Sequence, residues 1–531
     1  MLAAVLFALS ILGIYGRALG FDFVYDDRAL LLYNEALADP GTLWEALTHD
    51  LFHFAPGVRP SPYWRPVVTL SYYLDHRLGG GGPTVFHATN LVALWGGCVG
   101  LYRWLLRDST RSVALGAALL FAFHPMQVEA AVNISARTDL FCAVFCIWAL
   151  SARNRWACLA WTALAVGSKE IAVVLPLVAW ILSPEDKRWR GQLAVVFGWL
   201  VLRFVVLSQI ALLPEDQPGP TGQSALALGA HSLGWLSRLI LPRSGAPGTE
   251  LPTPAMVMAL LGWAALLGAM ALGWRMRSSS PKGAGSLALC VLPLLPVSGL
   301  VISDPRYGEG FLSLPLVGLA LGAAVLARSH VLWVPVLVCC CFSWQKIPQW
   351  EDETALWTAA HHRAPGDPMV RLNLARTLVE TEPERSLALL SGVGQPDPRR
   401  GREAAAVRAQ AYLSLDDQEA ALPELLAASG HDEEAAWATA TACLLLHTEG
   451  SDLALETCAQ AAVLMPEEAG LANALGIVHA LRQEHEDART WFERAIAQEP
   501  GRTDFQRNLA QLSAEIEALD RDVDEGAELL E

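Results

Sequence analysis

FAFHPMQVEAAVNISARTDL (Phe121 to Leu140) carries ionisable groups between two apolar stretches, 112–125 and 138–151. Pro125 suits the first position of a helix, where its missing N–H costs nothing and its fixed φ is already helical. The segment therefore reads as the end of one membrane helix and the start of the next. His124, Glu129, Arg137 and Asp139 lie at the junction. Charged groups in such places are costly unless a water-filled site uses them, which makes them functional candidates. Two more clusters share this setting: FVYDD (Phe23 to Asp27) after the first apolar run, and GSKE (Gly167 to Glu170) between two later ones. A chain that repeats this arrangement three times reads as a polytopic membrane enzyme with its site at one face of the bilayer.

The 531 residues leave room for two domains, and the composition changes near residue 345. Before it the chain is a series of apolar runs rich in Trp, Leu, Val and Ala. Beyond Trp350 it is rich in Ala, Glu and Leu and holds much of the acidic excess behind the net charge of −16. That excess argues against nucleic acid, which requires a basic footprint. Eight of the ten cysteines sit in apolar runs and read as small buried hydrophobes. Cys443 and Cys458 fall in the second half without metal-ligand spacing. A disulfide is open to them if that half is extracytoplasmic, and helical packing is the alternative.

A spanning helix needs roughly 17–25 apolar residues. The candidates are 1–19, 85–105, 112–125, 138–151, 155–167, 171–183, 191–210, 255–273, 284–302, 311–327 and 329–345. The first lacks the basic leader of a signal peptide and is kept as a membrane helix. Segment 225–242, with His231 and Arg238, reads as an amphipathic helix at the interface. Basic residues then orient the chain. Arg103, Arg107 and Arg111, then Arg153 and Arg155, then Lys187, Arg188 and Arg190, then Arg275, Arg277 and Lys282 form four loops on one side, which the positive-inside rule makes cytoplasmic. The long loop 20–83, the HPMQVE and GSKE turns, the acidic loop 211–224 and SDPRYGEG (303–310) face the other side, and about eleven spans put the second half there too.

In that half, Leu475, Gly476, Ala480, Ala488, Phe492, Ala495 and Pro500 stand at tetratricopeptide spacing. Small residues let the two helices of a repeat approach, the aromatic fills the gap, and proline ends the second helix. One repeat cannot bury its own face, so neighbours are required. RLNLARTLVE (Arg371 to Glu380) reads as the first helix of an earlier unit, with degenerate units filling 400–466. The acidic tail 516–531 reads as the end of a capping helix or as disordered.

FVYDD, SPYWRPVVTLSYYLD (Ser61 to Asp75), FHATN (Phe86 to Asn90), FAFHPMQVEAAVNISARTDL, GSKE and PRYGEGFLSLPLVGLALG (Pro305 to Gly322) occur in this order, with WEDETALW (Trp350 to Trp357) leading into the repeats. Taken together they resemble the transmembrane and tetratricopeptide-repeat O-mannosyltransferases and their bacterial relatives, in the GT-C glycosyltransferase superfamily. This chain has RYGEGFLSLP where that family more often shows an RYLYLPS-like string. The resemblance implies an all-α fold. A GT-C-like membrane domain (1–345) would be followed by an α-solenoid of tetratricopeptide repeats (350–515). It also implies a polyprenyl-phosphate-linked sugar as donor, membrane lipid around it, and a protein hydroxyl as acceptor. An acidic motif after the first helix, here Asp26 and Asp27, would be catalytic.

The chemistry of the residues is compatible with that. Transfer from a lipid phosphate needs a base for the acceptor hydroxyl and positive charge for the departing phosphate. Asp26 is the expected base, and Asp27 its partner or a metal or acceptor ligand. Adjacent carboxylates repel, which raises the pKa of one of them. The bland alternative is a solvated acidic turn at a helix end. His124 is placed to contact the donor phosphate or acceptor, with Glu129 orienting it, although a histidine in apolar surroundings is ordinarily a satisfied structural group. Arg137 and Asp139 either join the site or pair with each other two residues apart. Lys169, beside Glu170, is the preferred phosphate ligand as a compact cation, against a lysine snorkelling to headgroups. Arg65 and Arg306 are second-tier phosphate ligands. Tyr63, Trp64, Tyr72 and Tyr73 suit an interfacial helix in the first loop. No His, Cys or Asp set has metal spacing, so a divalent cation is allowed and not required. Asn133-Ile134-Ser135 matches a glycosylation sequon incidentally.

Three functions fit these residues: sugar transfer to protein, sugar transfer to a lipid or surface glycan, and a non-catalytic scaffold carrying a protein-binding repeat domain. A transporter should show inverted repeats, which are not evident. The Ala/Trp/Arg-heavy, lysine-poor composition points to a bacterial plasma membrane rather than the endoplasmic reticulum.

Overall fold

The architecture is that of a computed structural model. It describes the chain apart from residues 56–60, 209–221, 241–255, 296–307, 328–330, 394–397, much of 429–467, and 529–531. The fold is all-α, with no strand among the described residues. Two compact units form, Met1–Pro365 and Gly366–Glu531. WEDETALW therefore belongs to the first unit rather than to the repeats that follow it.

In the first unit α1 (Leu2–Tyr15) leads into the long first loop, which holds α2 (Leu43–Thr48) and α3 (Pro66–Gly79). Then come α4 (Pro83–Leu105), α5 (Arg111–Phe123), the short α6 (Val128–Val132), α7 (Arg137–Ser151), α8 (Arg155–Ser168), α9 (Leu175–Leu182) and α10 (Arg188–Ser208). After these follow α11 (Gly222–Ile240), α12 (Met256–Met276), α13 (Pro281–Val291), α14 (Ser313–Leu326), α15 (Trp333–Lys346) and α16 (Glu353–Arg363).

Leu2–Gly20, Pro83–Leu105, Arg188–Ser208, Met256–Met276 and Glu309–Leu326 are long and apolar enough to cross a membrane. Arg111–Phe123 with Pro125–Val132, bent by 52°, is a sixth if the pair is one span. The outward faces of α10 and α12 expose Phe197, Leu202, Phe204, Val257, Leu260 and Trp274. Only lipid tolerates apolar surface on that scale, so this is an integral membrane protein. The other expected spans are shorter helices. α8, with 14 residues, rises only ~21 Å against a hydrocarbon core of ~30 Å. By length and composition the expected eleven spans become five or six among the described residues.

Helix direction separates two ends of this unit. α7 runs from Arg137 to Ser151 and α8 returns from Arg155 to Ser168. At the Ser151 end the four basic loops meet. Lys282 pairs with Asp108, Arg107 donates to the Ser151 carbonyl at 2.5 Å, and Arg188 donates to the Ala152 carbonyl. The charged motifs gather at the opposite end. Of the expected interfacial segment, residues 225–240 lie in α11, which crosses α12 at Gly229 and Gly262, and residues 241–242 lie outside the described residues. A Cβ on Gly262 would run into the Gly229 carbonyl, so only glycine admits that approach.

The second unit is built from helical hairpins: α17 (Pro368–Leu378) with α18 (Pro383–Leu390), α19 (Pro398–Ser414) with α20 (Gln418–Ala428), then Ala469–Leu481 with His485–Gln498. In the last hairpin Leu475, Ala488, Phe492 and Ala495 are buried, and a Cβ on Gly476 would meet the Phe492 ring at 2.5 Å. The small-residue and aromatic logic of the repeat operates as the spacing requires. The final helix, Thr503–Glu528, takes in most of the acidic tail, and Leu512 packs with Phe492 and Ala488. Cys458 is disulfide-bonded, whereas the eight cysteines of the first unit are free.

Candidate active site

Lys169 directly follows α8, in extended conformation, and points its ammonium at the first turn of α7. Nζ lies 2.6 Å from both Asp139 oxygens and 4.3 Å from the centre of the Phe311 ring. Arg65, which opens α3, reaches Glu170 with two bonds, 3.0 and 3.4 Å, and stacks on Tyr63. Glu129, in the first turn of α6, accepts the Glu309 backbone N–H at 2.9 Å. A Cβ on Gly310 would lie 3.2 Å from Asp139 Oδ2 and 3.4 Å from Glu129 Oε1, so the two carboxylates flank one glycine. Lys346, at the end of α15, pairs with Glu309 and donates to the Pro125 carbonyl at 2.8 Å. A small cleft opens beside Glu129, Glu309 and Lys346, walled by Trp350 and Leu356. Each of these buried cations has a carboxylate partner, the arrangement that makes burying charge tolerable.

The acidic loop joins this web through backbone. Asp27 is fully buried, and its carboxylate accepts the N–H of Ser135 at 2.6 Å and of Ile134 at 3.3 Å. Burial pushes its pKa up to about 7, against the pull of those hydrogen bonds. The sequence-based expectation that one of the two aspartates is raised holds, but desolvation does it rather than repulsion from its neighbour. Asp26 is partly exposed. The Tyr72 hydroxyl lies within the electrostatic reach of Asp26, Asp27, Arg137 and Arg65, which ties the loop to the cation side of the site. Immediately before the pair, Tyr25 has φ +55°, a left-handed conformation that bulky residues avoid.

Two expected ligands are otherwise engaged. His124 is buried: Nδ1 accepts the Met126 N–H at 3.3 Å, and Nε2 lies 3.3 Å from the Leu239 carbonyl. It caps the turn at the α5–α6 bend. Arg137 does not pair with Asp139. Its guanidinium is fully buried, 2.6 Å from Asp75, and it donates to Asn90, Ser71 and the Phe86 carbonyl. Asp139 turns to Lys169 because α7 directs residues two apart to different faces. Asn133 of the sequon is buried as well. Arg306 and Tyr307 lie outside the described residues.

Sequence reasoning missed Asp75, Glu309, Lys346 and Glu353. Lys346 carried a signal, being the single cation at the end of the last apolar run. Glu45, His49 and His53 in the first loop also bring one ligand atom each within 4.8 Å of the others, and the two imidazole rings stack at 4.1 Å. The regular four-residue spacing of these three residues was the signal available in the sequence.

Known proteins bear out the resemblance. The chain is 33% identical over 173 residues to protein O-mannosyl-transferase Tmtc1 of Drosophila melanogaster, which is 31% of this chain and 19% of the relative. It is 35% identical over 140 residues to Tmtc2 of the same species, 25% and 14% of the two chains. It is 32% identical over 145 residues to protein O-mannosyl-transferase TMTC2 of Homo sapiens, 26% and 17%. The matches thus span less than a fifth of these relatives' length. No protein-family model matches. Among solved structures, yeast Tom70 (11% identity, 81% of this chain and 96% of that one) and the APC/C hetero-tetramer Cut9-Hcn1 (12%, 84% and 92%) each align with a TM-score of 0.28. That is too low to carry an argument.

Proposed function

We propose that this chain is a membrane glycosyltransferase that moves a mannose-like sugar from a polyprenyl-phosphate donor to a protein hydroxyl on the extracytoplasmic side. The observation that carries the reading is one cluster at one end of α7 and α8. There a partly exposed aspartate follows a strained residue, the Tyr72 hydroxyl lies within electrostatic reach of both that aspartate and Arg65, and the buried pairs Arg65–Glu170 and Lys169–Asp139 stand side by side in sequence at Lys169 and Glu170.

In that reading Asp26 takes the proton of the acceptor hydroxyl as its oxygen bonds to the anomeric carbon. The bond from that carbon to the phosphate oxygen breaks, with inversion, and the polyprenyl phosphate leaves with its charge. Lys169 spends two of its three N–H donors on Asp139, and Arg65 two of five on Glu170, so donors remain on both for phosphate oxygens. Asp27 anchors the loop, and Glu129 with Asp139 shapes the floor beside Gly310. A divalent cation is a second way to meet the phosphate charge.

Several features support the placement. The basic loops meet at the end away from the site, as a cytoplasmic face requires. A disulfide at Cys458 fits an oxidising, extracytoplasmic location for the repeats. Their hairpins offer a surface for a protein acceptor or partner. Composition favours a bacterial plasma membrane; in a eukaryote the equivalent would be the endoplasmic reticulum membrane.

The decisive test is Asp26→Asn, expressed in membranes at the wild-type level and assayed with a lipid-linked mannose donor. Transfer to protein should fall at least about 100-fold, the lower end of what a general base contributes. Undiminished transfer would remove Asp26 as base. Sugar appearing on lipid or glycan instead of protein would redirect the acceptor assignment.

A further inference from the structure

The segment that leaves the last apolar helix, 344–357, runs alongside the segment that leaves the first, 17–25. Arg17 donates to the Trp344 carbonyl at 2.7 Å and stacks over its ring at 4.8 Å. The Asp22 N–H donates to the Glu351 carbonyl at 3.0 Å. The Tyr25 N–H donates to Glu353 Oε1 at 2.6 Å, and the Tyr25 ring meets the Trp357 ring edge-on at 5.6 Å. Glu353 Oε2 is in turn held by the Trp357 indole N–H. Three successive fastenings, all more than 300 residues apart in sequence, end at the one residue of the acidic motif whose backbone is strained.

Left-handed backbone at a bulky residue is strained and persists only where the surroundings over-determine it. On its C-terminal side the loop is fixed by Asp27, through Ser135 and Ile134. On its N-terminal side the Glu353 carboxylate accepts the Tyr25 backbone N–H, beside the contact of the Tyr25 ring with Trp357. A charge-assisted hydrogen bond is among the stronger kinds and can offset such strain. Asp26 lies between these two anchors.

We propose that Glu353 is a positioning residue for the transfer reaction, which holds Tyr25 left-handed so that Asp26 presents its carboxylate to the acceptor. This rests on the reading of Asp26 as base. Without the bond, Tyr25 relaxes toward negative φ and Asp26 swings from its place, while the donor site at Lys169 and Arg65 stays intact. The signature is therefore a loss in kcat at unchanged KM for the donor.

Two measurements on the full chain in detergent test it. In amide hydrogen exchange, the wild-type Tyr25 N–H should be protected. In Glu353→Ala it should exchange at least about tenfold faster, with peptides from 137–151 unchanged. In transfer assays Glu353→Ala should lose about tenfold or more in kcat with donor KM unaltered. Glu353→Gln keeps one acceptor oxygen for the Tyr25 N–H but turns its NH2 toward the Trp357 indole N–H, so it should lose clearly less than Glu353→Ala. Tyr25→Gly placed in the Glu353→Ala background should recover part of the loss, since glycine adopts φ +55° without strain. An unprotected Tyr25 amide in the wild-type protein overturns the proposal without any variant having to fold. So does wild-type kcat in Glu353→Ala, or an equal loss in Ala and Gln variants. If Asp26→Asn transfers normally while the amide protection behaves as stated, the assignment of the base has failed and the latch has not.

Discussion

Lys169 Nζ stands 2.6 Å from both carboxylate oxygens of Asp139, with both side chains buried. Removing one partner of such a pair leaves a buried charge uncompensated, at a cost of ~3–5 kcal/mol, whereas removing both can be close to neutral. Lys169→Met should therefore lower the melting temperature in detergent sharply and abolish transfer. The double variant Lys169→Met/Asp139→Asn should regain most of the stability and none of the activity. If the double variant transfers sugar, the lysine holds the fold together and takes no part in the reaction.

Asp27 makes stability depend on pH. Its carboxyl is raised by burial from 3.8 to about 7, so the folded state binds the proton more tightly than the unfolded chain does. The favourable contribution is complete below pH 3.8 and is lost as pH rises through about 7, a change on the order of 4 kcal/mol. Wild-type melting temperature should fall between pH 5 and 8 relative to Asp27→Asn, whose side chain does not titrate. Parallel curves for the two proteins across that interval would mean that Asp27 is ionised in the fold throughout.

The helical class, the apolar helices and the last repeat were legible because each rests on local pattern. Gly476 opposite Phe492 is a relation between helices that a fixed repeat length announces in advance. That the charged motifs would gather at one end of the helices was legible from motif order. Which would pair was not. Arg137 and Asp139 are two apart in sequence, yet they bind Asp75 and Lys169, 62 and 30 residues away, because a helix turns them to different faces. The role of Glu353 was hidden further still. It lies 328 residues from Tyr25, in a stretch whose composition resembles the repeats that follow it.

Arg137 makes a strong demand on side-chain shape. Nε, Nη1 and Nη2 each have a separate acceptor, and the plane lies against Tyr72 and Phe141 at 5.1 and 5.5 Å. A lysine keeps the charge but cannot reproduce the fork or the stacking. Arg137→Lys should destabilise the membrane unit by ~2–4 kcal/mol and reduce the yield of monodisperse protein. A wild-type melting curve for Arg137→Lys would show that charge alone is required there.

Gly476 offers a test confined to the second unit. An alanine Cβ would fall 2.5 Å from the Phe492 ring, closer than real contacts allow, so the hairpin must open or the ring must move. Overpacking of this kind costs ~1–3 kcal/mol, and alanine returns up to ~1 kcal/mol through its better helix propensity. The net should be on the order of 1–2 kcal/mol against the fold. Amides of 469–498 in Gly476→Ala should then exchange about five- to thirtyfold faster, with 137–151 unaffected. Adding Phe492→Leu should restore part of the protection, since a smaller side chain makes room for the methyl. Exchange unchanged in Gly476→Ala would mean that the two helices are not packed at this residue in solution.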